Sequence, residues 1–334
     1  LAKVINGRRL AETLRVDLLA RAQEITRQRG TPPGLAVILV GDDPASAVYV
    51  RNKIRACEAV GIRSECRRFP TTVQNEELLG AITRLNRDDA IDGILVQLPL
   101  PPHIDLPAVL ETIAVEKDVD GFHLYNVGGL VTGNTIFSPC TPYGVVKLLE
   151  SEGVPIAGQN VVVVGASNIV GKPMALMLMA RDATVAICHA RTRDLAQFTI
   201  LADILVVAAG VPNLIVGQMV KTGAVVIDVG INRLSDGRIT GDVDFDTVSA
   251  KASRITPVPG GVGPMTVTML LENTIASAER GRGPARSLAG QRQCPSIADS
   301  MDNSPGALTT ATHADDQASD GCRLTRRLAQ RPVG

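Results

Sequence analysis

The sequence has no net charge, because its 34 Lys and Arg balance 34 Asp and Glu. No overall field therefore draws it to nucleic acid, an anionic membrane surface or a polyanionic substrate, although local basic sites stay open. It also lacks any Cys-x-x-Cys pair. The six cysteines, at 57, 66, 140, 188, 294 and 322, are widely spaced, which argues against a zinc site and against a disulfide framework and predicts a reducing, cytoplasmic setting with no metal. No run approaches the roughly 18 apolar residues of a membrane span. Leu1-Ala2-Lys3-Val4-Ile5-Asn6-Gly7 turns polar too soon for the apolar core of a signal peptide, so a soluble, unexported protein is expected. Leu in first place reads as processing or an unusual start codon.

What is present is apolar and regularly arranged. With 334 residues and 45% hydrophobic composition the chain can bury one large core or two medium ones. Leu35 to Gly41, Ile62 to Phe69 and Ile91 to Gln97 read as strands separated by amphipathic stretches, a pattern that predicts a parallel sheet covered by helices. The first intervening helix is punctuated at both ends. Asp43 can cap the free amides, Pro44 suits the first helical position and Gly61 can end it, giving a span of about 44 to 60. A second series, Asn160 to Gly165, Thr184 to His189, Asp203 to Ala208 and Ala224 to Asp228, predicts a separate doubly wound α/β unit.

Between the two series, Lys117 to Thr141 is rich in Gly, Asn, Asp and Pro and reads as an interdomain connection and cleft wall rather than a packed element. The expected fold is thus α/β, two α/β domains around a cleft, the second of the Rossmann type. Beyond Gly281 no aromatic residue occurs and apolar residues thin out, so a disordered tail is expected over 282–334. Its basic stretch Arg323 to Arg331 reads as solvated charge, with contact to an anionic partner as the alternative.

Gly165-Ala166-Ser167-Asn168-Ile169-Val170-Gly171 follows the apolar run Val161 to Val164 and opens the helical pattern Lys172 to Arg181. That is the context of a phosphate-binding turn: Gly165 permits the tight turn, Gly171 close helix packing, and the amides at the helix start can face a pyrophosphate. The spacing departs from Gly-x-Gly-x-x-Gly, with Ser167 in the second glycine position and the last glycine one residue farther on. A strand-to-helix turn without ligand would use the same glycines. After the next strand stands His189-Ala190-Arg191-Thr192-Arg193, where an NAD site usually presents a carboxylate. Cationic and hydroxyl groups there favour a 2′-phosphate, so NADP is the expected dinucleotide and Arg191 its expected phosphate partner. Solvated charge at a helix start is the alternative.

Tyr49 and Lys53 stand four residues apart on the predicted helix 44–60 and so share one face, an aromatic plate beside an amine. A surface Lys beside a half-buried Tyr would give the same spacing. The chain also carries Asp92-Gly93-Ile94-Leu95-Val96-Gln97-Leu98-Pro99-Leu100-Pro101, Lys117-Asp118-Val119-Asp120-Gly121-Phe122-His123 and Pro257-Val258-Pro259-Gly260-Gly261-Val262-Gly263-Pro264-Met265-Thr266.

In this order, across essentially residues 3 to 280, these segments resemble the bifunctional methylenetetrahydrofolate dehydrogenase/cyclohydrolases. The resemblance implies NADP-dependent oxidation of 5,10-methylenetetrahydrofolate to the methenyl form, then hydrolysis to 10-formyltetrahydrofolate. It places the catalytic residues at Lys53, Tyr49, Gln97 and Asp120. Folate contacts fall at Tyr49, Val96, Gln97, Leu98, Pro99, Asp120, Gly260, Gly261, Pro264 and Thr266. Cofactor contacts fall at Gly165, Ala166, Ser167, Val170, Gly171, His189, Arg191, Thr192 and Ile231. It further implies a folate-binding domain over 1–141, completed by a returning helix 265–280, an NADP domain over 142–264, and a homodimer joined through an edge of the cofactor domain. Leu124 stands where many members of that family carry Pro.

The residue types suit such chemistry. A planar pterin gains from stacking on Tyr49, and its N–H groups need an acceptor such as Asp120. Lys53, tuned by Gln97, can organise proton transfer from water. His123 reads as a loop hydrogen-bonding residue and Cys140 as a buried structural thiol. Two other readings fit the fold signals: a two-domain NADP-dependent reductase of a small carbonyl compound, of the shikimate dehydrogenase type, and a dinucleotide-binding regulator without catalysis.

Overall fold

Alternating apolar runs and amphipathic segments give two parallel sheets. The computed structural model describes residues 1–281, so the expectation of a disordered tail over 282–334 falls outside the described residues. In chain order, β1 (Lys3–Val4) and α1 (Gly7–Arg29) lead into β2 (Gly34–Val40), α2 (Pro44–Ala59), β3 (Arg63–Phe69), α3 (Asn75–Asn86), β4 (Gly93–Val96) and α4 (Leu106–Thr112). Then come α5 (Leu124–Thr132), α6 (Cys140–Ser151), β5 (Asn160–Val164), α7 (Gly171–Met179), β6 (Thr184–Cys188), α8 (Leu195–Thr199), β7 (Ile204–Val207) and β8 (Val225–Asp228). The hairpin β9 (Asn232–Arg233) and β10 (Ile239–Thr240), then α9 (Phe245–Ser249), β11 (Arg254–Ile255) and α10 (Val262–Arg280) complete the described chain.

The smaller sheet has the order β3-β2-β4, all parallel. Its middle strand β2, Gly-Leu-Ala-Val-Ile-Leu-Val, is buried at every position, as a strand covered on both faces must be. The larger sheet has the order β1-β11-β8-β7-β5-β6, also parallel. The chain leaves β5 toward β6 on one side and returns to β7 on the other. A crevice therefore opens at the carboxyl ends of β5 and β7, where ligands of doubly wound sheets sit.

Helix α2 begins where the sequence predicts. The Asp43 carboxylate accepts from the Ser46 amide at 2.7 Å, and Gly61, at φ +74°, follows the last turn.

Three expectations need correction. The segment 117–141 is not mere connection: it holds α5, which packs on α7. Its helix escapes a composition reading because Gly129 is there for contact, since a Cβ on it would lie 2.6 Å from the Thr135 backbone. Leu124 opens that helix, in a first-turn position where Pro is equally at home. Helix α10 starts at Val262 rather than 265, which draws Pro264 into its first turn. Finally, Lys3–Val4 pairs with β11 in the larger sheet, so these residues leave the expected 1–141 grouping. Strands of two residues have no periodicity to read.

Helix α10 runs back across the smaller sheet's side, packing on α1, α2, α6, β2 and β4. Ser277 Oγ donates to the carbonyls of Asp92 and Glu116, both at 2.7 Å, and Arg21 pairs with Glu272 and Glu279 at 2.7 and 2.9 Å. One buried cluster runs from β2 through α10 and α6 to β5 and β8, joining the two sheets through helices.

Candidate active site

One turn of α2 carries Tyr49 and the next carries Lys53. Tyr49 keeps 40% of its surface open, an aromatic face available to a planar partner, and burial of the rest pushes its hydroxyl pKa up against the opposing pull of Arg233. The Lys53 ammonium donates to Gln97 Oε1 at 3.1 Å. Gln97 is held in turn: its backbone N–H donates to the Ile38 carbonyl at 2.9 Å and its Nε2 to the Leu98 carbonyl at 2.7 Å. It ends β4 beyond the buried Val96, and the next peptide bond, Leu98–Pro99, is cis.

The second carboxylate of Asp118-Val119-Asp120 faces the same amine. Burial, helped by the Asp118 charge, raises the Asp120 pKa, and Lys53 pulls it back down. Asp118 does different work. It is 1% exposed and accepts from Phe122 N at 3.2 Å, His123 N at 2.8 Å and Asn126 Nδ2 at 2.7 Å. Asn126 passes the restraint on through its own oxygen, which accepts from Ile136 N and Phe137 N. His123 caps α5, its Nδ1 accepting from Tyr125 N at 3.0 Å. Behind Asp120, Cys140 is buried with its thiol pKa pushed well up by burial, and its Sγ donates to the Val119 carbonyl at 3.3 Å. A thiol so held is a packing group, not a nucleophile.

The turn between β5 and α7 needs its glycines. Gly165 has φ +120°, and a Cβ there would lie 2.1 Å from the Ala208 carbonyl oxygen; a Cβ on Gly171 would lie 1.9 Å from the Gly165 oxygen. The expectation of amides free to face a pyrophosphate is corrected for 170–172. Ser167 Oγ accepts from Val170 N at 3.1 Å and Gly171 N at 3.3 Å, while its carbonyl takes Lys172 N. Ser167 in place of a glycine thus caps the helix itself, and the open parts of the turn are Ser167 and its flanks. After β6, His189 Nδ1 accepts from Arg191 N at 3.1 Å and Thr192 Oγ1 from His189 N at 2.9 Å, a tight turn that presents Arg191 and Arg193 outward.

The loop after β11 meets the start of α1. The Gly260 carbonyl accepts from Arg8 N at 3.0 Å, and a Cβ on Gly7 would lie 1.8 Å from the Gly261 oxygen. Thr266 Oγ1 lies 3.0 Å from Thr141 Oγ1, so this hydroxyl joins α10 to α6. Ile231, 47% exposed, stands beside Gly263, whose added Cβ would come within 4.0 Å of it.

Sequence reading missed two buried carboxylates, Asp228 and Asp242, 4% and 0% exposed. Asp228 accepts from Gly230 N, Asp242 N and Val243 N at 2.9 to 3.0 Å, and burial raises its pKa to about 6. The available signal was an Asp closing an apolar strand between glycine-bearing loops, Asp228-Val229-Gly230 and Gly241-Asp242.

Known proteins share this fold. Residues 5–120 match the family model described as tetrahydrofolate dehydrogenase/cyclohydrolase, catalytic domain, and residues 139–282 match its NAD(P)-binding domain. The bifunctional protein FolD of Nitrosospira multiformis is 61% identical over 279 residues, 84% of this chain and 96% of that relative. The bifunctional protein FolD of Bordetella petrii is 58% identical over 282 residues, 84% of this chain and 96% of its own length. The Campylobacter jejuni FolD structure, a methylenetetrahydrofolate dehydrogenase/cyclohydrolase, superposes with a TM-score of 0.82 at 51% identity, covering 84% of this chain and all of that one, 100%. The Trypanosoma brucei enzyme, solved with NADP cofactor and inhibitor, gives 0.81 at 43% identity, covering 84% of this chain and 98% of that one. With both of its halves matched in order, the chain belongs to the tetrahydrofolate dehydrogenase/cyclohydrolase family.

Proposed function

We propose that the chain oxidises 5,10-methylenetetrahydrofolate to 5,10-methenyltetrahydrofolate with NADP and hydrolyses the product to 10-formyltetrahydrofolate. The observation that carries the reading is the cluster of Lys53 hydrogen-bonded to Gln97 with Asp120 within its field, one turn from the open face of Tyr49. A reductase of a small carbonyl compound has no use for the stacking face and the pterin acceptor together.

In this reading Tyr49 stacks on the pterin and Asp120 accepts its N–H groups, with Lys53 opposing the burial that raises that carboxyl's pKa. Val96, Leu98 and Pro99 line the ring beside Gln97, and Gly260, Gly261, Pro264 and Thr266 border the folate from the other side. Lys53 positions the water that attacks the methenyl carbon and organises the passage of the proton that water loses to bulk solvent; Gln97 Oε1 fixes where the ammonium points. Hydrolysis so written consumes one water and needs no metal.

The residues around the β5–α7 turn fit a dinucleotide. Gly165 and Gly171 let the strand-to-helix turn pack tightly, since a Cβ on either would run into a backbone carbonyl, and Arg191 and Arg193 stand outward at the end of β6, suited to a 2′-phosphate. When bound, NADP supplies the hydride acceptor. The chain's part is to hold it, with Gly165, Ala166, Ser167, Val170, Gly171, His189, Arg191, Thr192 and Ile231, and to keep water out.

We group residues 5–141 and helix α10 (Val262–Arg280) as the folate-binding domain, and 142–261 with the strand Lys3–Val4 as the NADP domain. We also propose a cytoplasmic homodimer. Free cysteines 57, 66, 140 and 188 and the lack of a membrane-spanning helix among the described residues support the setting. Exposed Ile187 on edge strand β6, with Met179, Phe198 and Leu201 nearby in the chain, supports a dimer built on that edge.

The test follows absorbance with 5,10-methylenetetrahydrofolate and NADP, then with methenyltetrahydrofolate alone. NADPH production and methenyl loss above the buffer blank are expected; folded protein inert in both would overturn the reading.

A further inference from the structure

Two acidic side chains buried side by side are costly, and a fold alone is served as well by apolar residues. Asp228 and Asp242 are nevertheless both enclosed, and the backbone is cut away to admit them. A Cβ on Gly241 would lie 1.8 Å from Asp228 Oδ2, and one on Gly230 would lie 2.2 Å from Asp242 Oδ1. Each carboxylate is fully engaged. Asp242 Oδ2 accepts from Ala209 N at 2.6 Å and Gly210 N at 2.8 Å, and its Oδ1 accepts from Asn232 Nδ2 at 2.8 Å. Asp228 Oδ1 takes the Asp242 backbone N–H at 3.0 Å, and the Asp228 N–H donates to Thr256 Oγ1 at 2.7 Å.

The places tied together are the mouths of the two binding regions. Ala208, next to the bonded amides of 209 and 210, is the residue whose carbonyl sits against Gly165 in the dinucleotide turn. Asn232 follows Ile231, which stands beside Gly263, and Thr256 precedes the loop 257–261. The three bonds of Asp242 all lead to segments of the larger-sheet half, and Asp228, at the end of β8 in that sheet, anchors Asp242 while its own amide bonds Thr256 just before the loop 257–261.

We propose that Asp242 is a positioning residue for hydride transfer: it holds the 208–210 and 230–232 loops at the separation that brings the nicotinamide to the folate bridge carbon, with Asp228 as its anchor. This rests on the dehydrogenase/cyclohydrolase reading above. Hydride transfer is sensitive to the distance between two bound molecules, whereas hydrolysis of the methenyl compound uses the folate side alone. The two activities of one protein therefore separate a positioning role from a structural one.

The experiment measures both activities in the full chain for wild type, Asp242→Ala and Asp242→Asn, together with the isotope effect on substrate deuterated at the bridge carbon. In Asp242→Ala, dehydrogenase kcat falls about 100-fold and the isotope effect rises, with cyclohydrolase kept within about threefold. Asp242→Asn, whose oxygen still accepts from Ala209 and Gly210, recovers most of the loss. If Asp242→Ala does not fold, Asn232→Ala cuts only the Oδ1 link, and a loss of about threefold to tenfold confined to the dehydrogenase is expected. Parallel loss of both activities, or an unchanged dehydrogenase, overturns the proposal. A wild-type chain without either activity overturns the function itself instead.

Discussion

Lys53 and Gln97 are 44 positions apart in the chain, and the ammonium of the first donates to the side-chain oxygen of the second at 3.1 Å. One comes from α2 and the other from the end of β4, so the pair exists only because β4 lies beside β2, in register from Leu35 with Gly93 to Ile38 with Val96. Removing the amine at constant bulk should stop proton transfer without disturbing the dinucleotide turn. Lys53→Met is expected to lower cyclohydrolase kcat by about 100-fold or more, with a smaller loss in the dehydrogenase. A folded variant with full cyclohydrolase activity would remove Lys53 from the mechanism.

The same amine opposes the burial that raises the Asp120 pKa. In Lys53→Met that carboxyl should take a proton at higher pH than in wild type, so KM for folate should climb as pH falls, starting from a higher pH than in the parent. Parallel KM profiles for the two proteins would show that the charge coupling does not govern folate binding.

Arg191 lies outward beside the turn that His189 and Thr192 close, where a charge-assisted bond to a 2′-phosphate contributes roughly 1.5–3 kcal/mol. Arg191→Ala should raise KM for NADP about 10- to 100-fold at constant ionic strength and leave KM for NAD nearly unchanged. Equal effects on the two dinucleotides would assign the preference elsewhere.

Asp118 and Asp120 are two residues apart and should fail differently. Asp118→Ala strips partners from the buried Asn126 side chain and from two amides, an expected loss of roughly 3 kcal/mol or more, seen as a lower midpoint in urea. Asp120→Ala should leave that midpoint nearly in place and weaken folate binding about tenfold or more. Unchanged folate affinity would make Asp120 a loop residue.

Asp228 gives stability a pH dependence of definite sign. Its folded pKa of about 6 lies above the ordinary 3.8, so between these values the folded chain binds more protons than the unfolded one. Its contribution is complete below the unfolded pKa and declines as pH rises through about 6. Two pKa units correspond to roughly 3 kcal/mol as an upper figure. The stability difference between wild type and Asp228→Asn, taken from urea melts, should therefore shift against wild type from pH 4 toward pH 7 by about that order. A pH-independent difference would mean that Asp228 keeps an ordinary pKa.

The sequence alone determined what depends on local pattern. Seven apolar runs became parallel strands, and Asp43, Pro44 and Gly61 set the limits of α2, because capping and backbone preference act over a few residues. The turn at Gly165 was nameable from its strand-to-helix context, whereas Lys53 and Asp120 were nameable only through the family resemblance of their segments. Tertiary structure alone decided which of them meet. It put Lys53 on Gln97, made Asp118 structural while Asp120 faced the amine, and let Ser167 use up the amides at the start of α7. It also drew Lys3–Val4 into the far sheet and enclosed Asp228 and Asp242. Those outcomes depend on pairing and burial between segments far apart in the chain, which no local spacing records.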